Sequence, residues 1–154
     1  MTIADATKSK SSWLKDLLIG FIVWAIAFVL YVIPAFVVAI PMGFDLGPKL
    51  KDNAQVGKLI SQAIAEMYRT NPYLFPGYVV ILAALIFWRS RVRSRVISNN
   101  FIIHGAVIAA IPVIMSASQI LMGEGALIWA ISIVIFLAAG IAGTFKRTSR
   151  SAMQ

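Results

Sequence analysis

The chain alternates long apolar tracts with short polar ones, and the tracts are long enough to cross a bilayer. Residues 17–44 carry no charged side chain. At about 1.5 Å per residue, an unbroken helix of that length would exceed the ~30 Å hydrocarbon core. Pro34 and Pro41 offer the breaks: a kink at the first, and a helix end near Ile40 before the second. Further apolar tracts lie at 72–88, 101–122 and 126–145, the last two joined only by Gly123, Glu124 and Gly125. The pattern predicts an all-α integral membrane protein with four transmembrane helices at 17–40, 72–88, 101–122 and 126–145. Around them it places a basic tail at 1–16, a loop at 41–71, an arginine-rich turn at 89–100, a tight turn at 123–125 and a tail at 146–154.

The loop at 41–71 carries a second pattern. Val56, Leu59, Ile60, Ala63, Ile64, Met67 and Tyr68 recur with the spacing of one helical face. An amphipathic helix is expected over 53–70. Asp52 is placed to cap its start, with Gln55 at the capping-box position, and Asn71 before Pro72 closes it. Lys58, Gln62, Glu66 and Arg69 form a mixed polar side. That mixture favours contact with protein over a strongly basic lipid anchor.

Composition sharpens the class. Hydrophobic residues make up 60% of the chain and charged residues only 13%, against roughly 25% charged in soluble domains. The apolar run after the N-terminal lysines is far longer than the core of a secretory signal, so it is read as a retained first span. Charge then orients the spans. With the N-terminus inside, the inner segments hold ten bases and two acids, a net charge of +8; the outer segments hold four of each, a net charge of zero. The expected topology is N-in and C-in, with the amphipathic helix extracytoplasmic, in a bacterial cell inner membrane.

Four inner bases fall on alternate positions in "FWRSRVRSRVISNN": Arg89, Arg91, Arg93 and Arg95. Their ordinary role is to set topology. A contact with anionic lipid headgroups, or with an acidic partner, is the functional one. On a strand the four would share a face, whereas on a helix they divide between two. Nucleic acid is not an expected partner, because no aromatic residue interleaves the bases after Trp88 and the segment lies against the bilayer.

The hairpin of the last two spans also carries a pattern. Counting outward from Glu124 puts Ser116 level with Ser132, Ala109 with Ala139, and Gly105 with Gly143. Gly105 with Ala109 and Ala139 with Gly143 are small-xxx-small pairs that permit close helix packing in lipid, and the serines are within reach of a bond across the hairpin. The same small faces would also suit contact between copies of the chain.

Candidate chemistry is sparse. There is no cysteine, which removes disulfide exchange, iron–sulfur ligation and thiolate zinc sites. "GFDLGPK" lacks the spacing of a phosphate loop, and paired carboxylates and metal-spaced histidines are missing. His104, one turn inside the third span, and Gln119 are the candidate functional polar residues; a hydrogen-bonded interfacial histidine is the ordinary reading of the former. Glu124 reads as a solvated turn residue. No cofactor, metal or catalytic set is expected, and no enzyme activity. The expectation is a non-catalytic subunit or assembly factor of a larger envelope complex, such as a secretion, transport or respiratory machine. It would lie in the bilayer among other membrane-protein subunits. The alternatives are a small oligomeric channel or transporter, and a membrane inhibitor of the exclusion or immunity type.

Overall fold

The computed structural model describes residues 3–50, 52–96, 100–121 and 125–145, with side chains from Trp13 onward. The side chains of Lys8 and Lys10, and the residues Lys51, Glu124, Lys146, Arg147 and Arg150, lie outside the described residues. So do most of the tight turn at 123–125 and the tail at 146–154. Among the described residues there are five helices and no strand: α1 (Ile3–Leu46), α2 (Asn53–Thr70), α3 (Leu74–Ser94), α4 (Phe101–Leu121) and α5 (Ala126–Ala142). Three segments, Trp13–Leu46 in α1, Leu74–Ser94 and Phe101–Leu121, are long and apolar enough to cross a membrane; α5 is a shorter apolar helix of 17 residues.

Three helices differ in extent from the sequence expectation. First, α1 neither starts at Leu17 nor stops at Ile40; it is continuous from Ile3 to Leu46 with Pro34 and Pro41 inside it. Each proline removes one backbone donor, but the flanking apolar residues continue the ladder. The helix closes with Gly47 N donating to Gly43 O at 3.0 Å, an ordinary helical bond, and Lys49 N to Leu46 O at 3.0 Å, a tighter one. Second, α3 runs through the arginine segment to Ser94, and Arg95 N and Val96 N continue it with bonds to Val92 O and Arg93 O. Third, α5 ends at Ala142, where Thr144 N turns back to Ile141 O at 3.0 Å.

The chain forms two compact units: Met1–Ile26 with Val79–Gln154, and Ala27–Tyr78. In the first, Val23 of α1, Leu82 and Ile86 of α3, Ile108 and Ala109 of α4, and Phe136 of α5 are buried. Glycines let these helices approach. A Cβ on Gly20 would overlap the Ile108 carbonyl oxygen of α4, and one on Gly105 would overlap the Gly140 carbonyl oxygen of α5. On Gly140 it would lie 2.5 Å from Gly105 O, and on Gly143 2.5 Å from Phe87 O of α3. Backbones this close leave no room for a side chain, and close packing is what joins helices in an apolar medium.

The hairpin register is therefore corrected. Gly105 faces Gly140 rather than Gly143, and the Cβ of Ala109 would lie 3.2 Å from one added at Gly140. Ala139 is only half-buried. Positions three apart on a helix differ by about 60° around its axis, so Gly140 turns to α4 while Gly143 turns to α3. The serines also bond within their own helices where a bond is seen: Ser132 Oγ donates to Ile128 O at 2.9 Å, and Ser118 Oγ to Met115 O at 2.7 Å.

The second unit contains the C-terminal part of α1, all of α2 and the start of α3. Asp52 caps α2 by accepting from Ala54 N at 2.9 Å. Asn71 closes it, its backbone N–H and its side-chain amide both donating to Met67 O. The helix folds back along α1. Near one end, Tyr68 Oη donates to Tyr31 O at 2.9 Å, and toward the other, Ile60 Cδ1 would lie 3.9 Å from a Cβ on Gly43. The Tyr31 ring sits 5.1 Å from that of Tyr68 and 5.0 Å from that of Tyr78. Val56, Ile60, Ala63, Ile64, Met67 and Tyr68 are half-buried, so the periodic face is the covered one; Leu59 is the exposed exception.

Candidate functional site

The site begins with Asp16, an acid on the narrow face of α1. Asp16, Gly20, Val23 and Ala27 follow one another at i, i+4, i+7 and i+11, so they share a side of the helix. Because Gly20 lets α1 press against the backbone of α4, Asp16 is carried into the same packing layer. It is fully buried.

Both its oxygens are used. Arg93 Nε donates to Asp16 Oδ1 at 2.6 Å, and His104 Nδ1 is paired with Asp16 Oδ2. One carboxylate thus joins α1, α3 and α4. A buried carboxylate without partners is strongly disfavoured, and here a guanidinium balances its charge while an imidazole N–H fills its second acceptor. Carrying the proton on Nδ1 fixes the ring's orientation, in the manner of a carboxylate–histidine pair. The Nε2 edge makes no hydrogen bond to another described residue. Asp16 and His104 are not joined by a third carboxylate, imidazole or thiol among the described residues.

Other polar groups of the same unit are buried in α3 and just beyond the end of α5. Ser94 Oγ donates to Arg91 O at 2.9 Å, and Thr144 Oγ1 to Ile141 O at 2.6 Å. Ser90, packed where Gly143 meets α3, has a buried hydroxyl with no hydrogen-bond partner among the described residues. Such a group costs stability where it stands.

The residues singled out from sequence separate into groups. Arg93 and His104 meet at Asp16, while Gln119 is half-buried, about 22 Å farther along α4. Arg89 is half-buried with its Cζ 5.6 Å from the Trp88 ring centroid, Arg91 is half-buried, and Arg95 is exposed beyond the end of α3. Gly105, Ala109 and Gly143 lie at helix crossings, as described above. Asp16 escaped the sequence reading because it follows Lys15 and closes the basic tail. Its signal was the four-residue step to Gly20, which makes it the acid on a small-residue face.

No protein-family model, curated protein or solved structure matches the chain.

Proposed function

We propose that the chain is a non-catalytic integral membrane subunit or accessory factor of a larger envelope complex. In this reading α5 is a fourth span, both termini are cytoplasmic, α2 is extracytoplasmic, and the membrane is a bacterial inner membrane. The observation that carries the proposal is the closure of the ionic cluster: helices of the same chain occupy both oxygens of Asp16. A group used in that way fastens helices together instead of presenting an open position to a substrate. The topology rests on the charge split of +8 against zero.

A small channel or transporter is the second reading, and the Asp16–His104 pair is what favours it, since buried ionisable groups in membrane helices mark proton and ion paths. One purification separates the two. The full chain is isolated in gentle detergent and its co-purifying chains are counted after gel filtration. A fixed stoichiometry with larger membrane proteins is expected; a pure homo-oligomer that passes ions or protons in liposomes would overturn the proposal. Reporter fusions after Asn53 and Gln154 test the topology, and should read external and cytoplasmic. A cytoplasmic signal at Asn53 would reverse it.

A further inference from the structure

The alternate spacing of the four arginines resolves, on a continuous helix, into two pairs. Arg89 and Arg93 are four residues apart and share one side of α3; Arg91 and Arg95 share another. Arg93 continues the buried stripe of Leu82 and Ile86 and ends on Asp16. The other side begins with Trp88, and Arg91, Val92 and Arg95 follow it at i+3, i+4 and i+7. Trp88 is 56% exposed and Val92 37% exposed. Neither Arg91 nor Arg95 has an ion-pair partner among the described residues.

We infer that this outward face, Trp88 with Arg91 and Arg95, binds the headgroup of an anionic phospholipid, and that Arg93 takes no part in it. The inference rests on the membrane reading above. Trp88 ends the apolar run of α3, at the depth where indole rings sit between acyl chains and headgroups. One and two turns beyond it on the same side, the arginines reach phosphate level. Their positive charge complements an anionic lipid, and the guanidinium fork suits a phosphate's oxygens. An acidic protein would need no tryptophan at the acyl boundary. A ladder acting only through total charge would not distinguish its members.

The test uses the full chain in mild detergent, with native mass spectrometry counting bound phosphatidylglycerol against phosphatidylcholine. The wild type should prefer phosphatidylglycerol. Arg91→Gln and Arg95→Gln should each weaken that preference about fivefold, and the pair more than either alone. Arg91→Lys with Arg95→Lys should keep most of it. Lys58→Gln should leave it within about twofold, since Lys58 is an exposed base on α2 and not on this face of α3. Thermal melting of the surface variants should match the wild type, which separates lost lipid from lost structure. Equal binding of the two lipids, retention by the double Gln variant, an equal loss in Lys58→Gln, or displacement of the lipid by inorganic phosphate would each overturn the inference. Topology reporters and partner co-purification read the membrane-subunit proposal separately.

Discussion

The two units of the molecule are held by different means. In the first, glycines bring backbones into contact at the α1–α4, α4–α5 and α5–α3 crossings, and a buried carboxylate is shared among three helices. In the second, no residue of α2 is fully buried, and the helix lies on α1 through half-covered aliphatic side chains and a tyrosine cluster. Small side chains with ionic bonds make joints that tolerate little change. An amphipathic face with aromatic contacts makes one that deforms by degrees. The C-terminal part of α1 also keeps Ile33, Phe36, Val37, Ile40 and Phe44 exposed, so that unit covers one side of its helix and leaves another open.

The largest expected effect is at the carboxylate. Asp16→Asn removes the carboxylate charge to which Arg93 Nε donates, and breaking a buried ion pair on one side costs about 3–5 kcal/mol. The double variant Asp16→Asn with Arg93→Gln removes both charges and should recover part of that loss in detergent melting curves. His104→Gln should cost less, about 1–3 kcal/mol, because it removes a hydrogen-bond donor and leaves the ion pair in place. If the losses of Asp16→Asn and Arg93→Gln simply add, the two groups do not act together and the contrast between the units fails at its strongest point.

The glycine joints come next. Gly105→Leu or Gly140→Leu should destabilise the fold by about 3 kcal/mol or more, since the obstacle is backbone and cannot swing aside. Gly143→Leu should do the same at the α3 crossing. The control is Gly57 on α2, where an added Cβ meets nothing within 4 Å. Gly57→Ala should stabilise α2 by up to about 1 kcal/mol through helix propensity. Equal melting temperatures for the Gly105 and Gly57 variants would remove backbone contact from the account.

The ease of reading each unit from sequence follows the same division. The span of α2 and both of its caps are legible because amphipathic period, Asp52 and Asn71–Pro72 are local signals that agree. The apolar tracts likewise mark α4, α5 and the start of α3 to within a few residues, while α3 runs six residues past its tract. What is not legible is any feature that depends on which way an almost uniformly apolar helix is turned. The pairing of Gly105 with Gly140 is one such feature, and the burial of Asp16 is another. Prolines misled in the opposite direction: Pro34 and Pro41 read as interruptions, yet α1 runs past both. For the arginines, the alternation was visible, but only the continuation of α3 to Ser94 turns Arg93 onto Asp16 and sets it apart from Arg91 and Arg95.

The smallest effect probes the looser unit. Tyr68→Phe keeps the ring against Tyr31 but removes the bond from Tyr68 Oη to Tyr31 O, a loss of about 1 kcal/mol. Tyr68→Ala removes the ring contact as well and should cost more. Because α2 has no fully buried residue, the loss is expected to appear locally, as faster hydrogen exchange across Asn53–Thr70, while exchange in α4 and α5 stays unchanged. The pH dependence has a definite sign. Burial pushes the Tyr68 phenol above its ordinary value of 10.0. The protonated donor is therefore favoured in the folded state, its contribution is complete below the unfolded value, and it is lost as the solution becomes more alkaline than that. Wild-type α2 should accordingly loosen at strongly alkaline pH while Tyr68→Phe shows no such step at that position. Slowed or unchanged exchange in the Phe variant, or acceleration spread equally over α4 and α5, would mean that the tyrosine bond is not what holds α2 to α1.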